Sequence, residues 1–402
     1  MRKGVAGFSP ERLTQARDSL GLTKAALANM LGVSAPTIGY WESGKLSPEE
    51  EKLRLLSQVL NLPIRFFLNA VAPAGEKPYF YRSMAVATKS ARSVVRIRMN
   101  WLAEISSVLE SWLDWPAISI PSTEEHFLNL ADDDIENLAL KCREAMGLGL
   151  GPIQDAVLAI ESSGAICTRG VLGNVKIEGC SHWDEGTGRP FVFLAADKAS
   201  AIRSRFDVAH ELGHLVLHRH VTDAEQKKYH KEIESQAHRF AGAWLLPASS
   251  FLDDVSWTNL DSLLALKSRW KVSVAAMIMR LWNLGVISDE QKLNLYKRRS
   301  AKWGATKEPD DHRYAIEQPK LLNRAILMLV DNGHIGKSDL LDKFRLSPVL
   351  VESLLNLSED YFKDDIEVMG DNLVRLKTVG PSKGVSNSGG SVVSFVGKKR
   401  DS

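Results

Sequence analysis

Hydrophobic positions change period along the chain, and the changes mark out its elements. Between residues 20 and 62 they fall at helical spacing: Leu27, Met30 and Leu31, then Ile38 and Trp41, then Leu53, Leu56 and Leu60. Gly32 is placed to end one helix and Ser34 to cap the next, whose first turn tolerates Pro36. The spacing predicts a helix-turn-helix, with a first helix near Thr23–Met30 and a second near Ala35–Glu42. The pattern lapses in "NAVAPAGEKPYF" (Asn69–Phe80), which reads as a linker. Helical spacing resumes over 82–113, then over Asp132–Met146 and Ile153–Ser162. The basic residues of the long helix, Lys89, Arg92, Arg96 and Arg98, read as a solvated face.

The period then shortens. "GAICTR", the partly alternating "NVKIEGCSHW" and the apolar run "RPFVFLAA" read as short strands, the last two separated by the turn cluster "DEGTGRP". From Arg203 to about residue 355 the spacing is helical again, and the Gly/Ser-rich segment 380–402 reads as a disordered tail. The expected fold is mainly α with a small β-sheet, of the α+β class. The expected division is 1–70 for the helix-turn-helix bundle, 71–288 for a mixed core, 289–379 for a helical module and 380–402 for the tail. "KSDLLDKFRLSPVLVESLL" (Lys337–Leu355) echoes a second helix-turn-helix, but no basic cluster accompanies it. A regulatory or dimerising module is expected there, which admits a homodimer.

Composition narrows the classes. A chain of 402 residues is long for one core. The net charge of +2 gives no global attraction to nucleic acid or membrane, so any basic function is local. No apolar run approaches the roughly 20 residues of a membrane helix, so no membrane partner is expected. "MRKGVAGFSPERL" lacks the apolar core of a signal peptide. The cysteines, Cys142, Cys167 and Cys180, form no CxxC pair. A cytoplasmic protein with reduced thiols is expected.

The densest chemistry is "RSRFDVAHELGHLVLHRH" (Arg203–His220). Ser204 and Asp207 fit a capping box, predicting a helix that starts there and runs to about His218. His210 and His214 are four residues apart, so they share one face and can converge on one zinc ion. Glu211 follows directly, where a carboxylate can take a proton from a water at the metal. Gly213 weakens the helix, which points to a second backbone close by. His218 lies about 12 Å along the axis from His210, too far to share its ion. His220 stands where a third histidine ligand would need a glycine turn, but Leu217 occupies that place. The next helix, "KEIESQAHRFAGAWLLP" (Lys231–Pro247), has a stripe of small and apolar residues with Glu234 on its side. A carboxylate beside such a stripe needs a partner or a metal. His230 and Glu232 are rivals for the third ligand.

Two resemblances add to this. "LTKAALANMLGVSAPTIGYWESGKLSP" resembles the lambda-repressor-like (XRE) helix-turn-helix family through Leu27-Ala28, Gly32-Val33-Ser34, Thr37-Ile38, Trp41-Glu42 and Gly44. The resemblance implies double-stranded DNA as a partner, read from the second helix by Ala35, Pro36, Thr37 and Tyr40. Ala35 and Pro36 carry no side-chain donors, so direct base readout is limited. Lys24, Lys45 and the helix N-termini are expected to hold phosphates. Residues 1–67 contain nine Lys/Arg against six Asp/Glu, a net of +3, which is a weak electrostatic footprint.

"RFDVAHELGHLVLH", "EIESQAHRFAGAWLLP" and "LKSRWKVSVAAMIMRLWNLGVIS" resemble the ImmA/IrrE family of zinc metallopeptidases, over roughly Tyr79–Ser288. Asp207 and the Leu246-Pro247 pair without methionine depart from its usual pattern. The resemblance implies a zincin-like core, zinc (Zn2+) as cofactor, His210, His214 and Glu234 as metal ligands, and Glu211 as catalytic base. It also implies a protein substrate, a transcriptional repressor or antitoxin-like protein, in a stress, mobile-element or toxin–antitoxin-like module. An extended substrate is expected to pair with an exposed sheet edge at "FVFLAA" (Phe191–Ala196). The rival reading is a non-proteolytic, zinc-containing transcription regulator.

Overall fold

The computed structural model describes residues 4–71, 75, 77–81, 88–171, 177–196, 200–304 and 307–363. The tail expected over 380–402 lies outside the described residues. The chain opens with five helices: α1 (Pro10–Ser19), α2 (Lys24–Leu31), α3 (Ala35–Glu42), α4 (Glu50–Leu60) and α5 (Ile64–Phe67). Thr23 caps α2 through the Ala26 amide, and Ser34 caps α3 through the Thr37 amide. Gly32, between them, is left-handed at φ 61°, a conformation that glycine adopts without the Cβ penalty other residues meet.

Strand β1 (Phe80–Tyr81) follows, then α6 (Lys89–Leu109), α7 (Asp132–Ala145) and α8 (Ala156–Ser162). Three strands come next, β2 (Ile166–Gly170), β3 (Gly179–Trp183) and β4 (Pro190–Ala195), then α9 (Ala201–Leu217), α10 (Asp223–Lys228) and α11 (His230–Leu245). The remaining helices are α12 (Ala248–Asp254), α13 (Leu260–Trp270), α14 (Val274–Asn283), α15 (Asp289–Trp303), α16 (Leu321–Asp331), α17 (Lys337–Phe344) and α18 (Pro348–Leu355). The molecule is mostly helical with one four-stranded sheet, an α+β fold.

The sheet order is β1-β3-β4-β2, with β2 and β4 parallel and the other pairs antiparallel. It separates two hydrophobic cores. On one face, Phe191 and Phe193 of β4 pack with the N-terminal helices, α6 and the C-terminal helices α16–α18. On the other, Val192 and Leu194 pack with α7, α8, α9 and α11–α15. Alternating residues of one strand thus serve two cores, which explains why this strand reads as continuously apolar.

Two features differ from the sequence expectation. Phe80 and Tyr81 pair with Ser181 and Cys180, so the presumed linker ends in an edge strand. Two residues are too short for period 2 to register in sequence. The segment Phe191–Ala196 is no exposed edge, because β4 lies between β3 and β2 and has both sides hydrogen-bonded. The outer side of β2 is itself covered: the Arg169 amide donates to Asn356 Oδ1, and Asn356 Nδ2 donates back to the Arg169 carbonyl.

A reciprocal clip ties the C-terminal helices to the second core. Glu161, at the end of α8, accepts the Lys320 and Leu321 amides that start α16. Glu317, just before α16, accepts the Ala156 amide that starts α8 and pairs with Arg205 of α9.

Candidate metal centre

Helix α9 starts one turn earlier than its sequence suggests. Ser200, not Ser204, is the N-cap and accepts the Arg203 amide at 3.4 Å. Ala201 and Ile202 are buried and extend the apolar face, so Ser204 becomes an interior residue whose amide donates to the Ser200 carbonyl. Asp207 is likewise buried inside the helix, where its charge acts on Arg169. Gly213 sets the distance to α11. A Cβ there would lie 3.2 Å from the Cα and carbonyl oxygen of Ala237 and 3.2 Å from the Phe240 ring. The two helices therefore touch backbone to backbone, as the glycine in the sequence suggested.

That contact brings Glu234 of α11 opposite His210 and His214. The two Nε2 atoms are 3.0 Å apart, and Glu234 oxygens lie 3.4 Å from each. These atoms lie within 4.8 Å of one another and form the one such cluster identified among the described residues. A tetrahedral ion bonded at about 2.0–2.1 Å holds its donors about 3.3–3.4 Å apart, so the spacing fits a single ion. Two nitrogens and one carboxylate suit a borderline ion such as zinc. His220 is exposed beyond the helix end, and His230 and Glu232 take no part in the cluster.

Glu211 is held from the sheet. Ser181 of β3 donates its hydroxyl to Glu211 Oε2 at 2.7 Å. Gly179, two residues earlier on the same face, makes room for the carboxylate, since a Cβ there would lie 2.6 Å from Oε1. Phe80, opposite Ser181 in the sheet, stacks on the His214 ring with centroids 4.8 Å apart. His210, Glu211 and His214 are all 0% exposed. His182 points to the other face, stacks on Tyr79 at 3.8 Å and approaches the Pro78 carbonyl at 3.1 Å. Burial lowers its pKa.

Several of these partners were not legible in the sequence. Ser181 and Gly179 carry no motif, and only the strand register sets them against Glu211. His238, one turn beyond Glu234, is exposed with its ring edge-on to His210 at 4.7 Å. His218 is no member of the cluster, yet it lies directly behind it, with its Nδ1 3.0 Å from His214 Nδ1. Burial, then the neighbouring His214, pushes its pKa down to about 3, which keeps the ring neutral near pH 7.

At the other end of the chain, Pro36 is exposed, Ala35 and Thr37 are half-buried, and Tyr40 is 45% exposed on the surface of α3. Lys45 lies over the Tyr40 ring at 5.9 Å, and the Thr37 hydroxyl is hydrogen-bonded to that of Ser34. Lys24 is paired with Glu42 at 3.0 Å, so part of its charge is already balanced.

Residues 172–281 match the IrrE N-terminal-like domain of the M78 peptidases. Residues 13–67 match a helix-turn-helix family. The chain therefore combines a helix-turn-helix domain with an IrrE-like domain of a metallopeptidase family. The IrrE-like segment contains His210, His214 and Glu234 together with the neighbouring Glu211, whereas Phe80 and α15–α18 lie outside both matches. No match was found among the curated proteins. Among the described residues no helix is long and apolar enough to cross a membrane.

Proposed function

We propose that the protein is a zinc-dependent endopeptidase with a DNA-binding domain, which cleaves a transcriptional repressor or antitoxin-like protein and so controls gene expression. The observation that carries this reading is the convergence of His210, His214 and Glu234 at single-ion spacing, with Glu211 locked beside them by Ser181. Zinc held there would supply Lewis acidity toward water and the scissile carbonyl. Glu211 accepts the water's proton and passes it to the leaving amine. Ser181 fixes the carboxylate's rotamer, so the base is oriented before substrate arrives. The helix-turn-helix over 1–70 directs the peptidase domain, taken as 71–288, to double-stranded DNA, and residues 289–379 form the regulatory module, where a homodimer contact would lie.

The complete burial of Glu211 favours a second reading, a zinc-containing regulator that acts through the helix-turn-helix without proteolysis. One experiment separates them. The full chain and its Glu211→Gln variant are each incubated with candidate repressors and antitoxins, and products are followed by mass spectrometry alongside zinc content. Cleavage by the parent and its loss in a variant that keeps its zinc supports the peptidase. Turnover by Glu211→Gln at the parental rate removes the catalytic assignment, and equal zinc with no cleavage by either protein selects the regulator.

A further inference from the structure

We infer that His218, Gln236 and the Phe127 carbonyl form a positioning relay that fixes which nitrogen of His214 faces the metal. The inference rests on His214 as a metal ligand and deepens the reading of that site. Its polarity is set at the far end. The Phe127 carbonyl oxygen can only accept, so Gln236 presents Nε2 to it, at 2.7 Å. Gln236 must then turn Oε1 toward His218 Nε2, 3.0 Å away. That oxygen can only accept, so His218 carries its proton on Nε2. With one proton on each ring, His218 Nδ1 is a bare acceptor, 3.0 Å from His214 Nδ1. The contact is a hydrogen bond only when His214 holds its proton on Nδ1. His214 Nε2 is left with its lone pair, facing His210 Nε2 and Glu234.

The opposite tautomer of His214 would set two bare nitrogens against each other and aim an N–H into the cluster. No solvent softens that conflict, because His218 is 0% exposed. Phe80 and Phe127 wall it in, with ring centroids 5.7 and 6.1 Å from its own. The terminal carbonyl is fixed as well. Phe127 opens a short 3-10 turn, in which the Leu130 amide donates to the same oxygen, and its side chain sits in a small core with Phe80, Val221 and Ile233. Helix α11 thus supplies both Glu234, which faces the two histidine Nε2 atoms, and Gln236, which acts through His218 to orient His214 of α9. His218, Gln236 and Phe127 are positioning residues, since none of them belongs to the ligand cluster.

The test has two readouts on the full chain. The first is the tautomeric state of His214 and His218 in metal-free protein labelled with 15N-histidine, assigned by single-histidine variants. His214 is expected to be protonated at Nδ1 and His218 at Nε2. The second is zinc affinity by chelator competition in His218→Leu and His218→Asn. Leucine removes the acceptor and is expected to weaken zinc binding about 10–100-fold. Asparagine places Oδ1 where Nδ1 stood and is expected to restore most of it. A proton on His214 Nε2 in the metal-free parent overturns the relay. So does zinc binding by His218→Leu equal to the parent, or an equal loss in both variants, which marks a packing role alone. If His218→Leu does not fold, the tautomers of the parent still decide. The expected tautomers in a chain that cleaves no protein would uphold the relay while removing the peptidase reading.

Discussion

The cluster between α9 and α11 and the exposed face of α3 are built under opposite constraints. In the cluster, charged and polar groups are removed from water, so each must find a partner at a defined distance. Ser181, Glu234, His218 and Gln236 supply those partners from three separate elements. Pro36 and Tyr40 on α3 and Lys45 just after it face solvent, and nothing requires them to be paired. Burial makes chemistry legible because an unpaired buried group is costly, whereas water satisfies the surface groups at no cost in structure. The arrangement at the cluster therefore points to one chemistry, while α3 is compatible with phosphate contacts or protein docking.

This contrast is open to attack at four points, in decreasing order of effect. Glu211→Gln should lower peptide cleavage by about 10²–10⁴-fold with zinc content unchanged, as read by product formation and metal analysis. Next is the clip at the base of the cluster's own layer. Glu161 is 2% exposed, and burial pushes its carboxyl up to about 7. A carboxyl raised on folding contributes stability at pH below its ordinary value near 4.5 and loses it as pH rises through 7. The loss is on the order of 3 kcal/mol between these limits. Glu161→Gln should unfold at about the same urea concentration as the parent near pH 4 and at a higher one near pH 8. A smaller effect is expected from Gly213→Ala, where the new Cβ meets α11 backbone at 3.2 Å. Overpacking there should cost about 1–3 kcal/mol by urea unfolding and weaken zinc binding in parallel. Smallest is Lys45→Ala on the α3 side. It should weaken DNA binding nearly uniformly across sequences and reduce the salt dependence of log K by about one, measured by fluorescence anisotropy. An unchanged salt slope would turn α3 into a docking face and widen the contrast with the cluster.

Legibility in the sequence followed the range of the interactions involved. The pair His210 and His214 and their neighbour Glu211 could be read at once, because one helix turn fixes their relation. The limits of α2 and α3 were readable for the same reason: Thr23, Gly32 and Ser34 act on amides and carbonyls within a few residues. The start of α9 is ambiguous by a turn in sequence because Ser200 and Ser204 are both competent caps, and only the burial of Ala201 and Ile202 chooses between them. The strand Phe80–Tyr81 leaves no trace in the sequence since two residues carry no period, and Phe191–Ala196 reads as an edge since a strand's neighbours are not written in the strand.

The sequence by itself determined the α+β class, the helix-turn-helix and the histidine–glutamate helix, all of which depend on residues fewer than ten positions apart. It also singled out Glu234, through its place beside an apolar stripe, though without its distance to the histidines. Only the tertiary structure set Glu234 3.4 Å from each histidine Nε2, Ser181 under Glu211, Phe80 over His214, and His218 and Gln236 behind it. The physical reason is that these contacts are fixed by how α9, α11 and the sheet pack. That packing depends on side-chain volume at places such as Gly213 and Gly179, where the decisive feature is an atom that is not there.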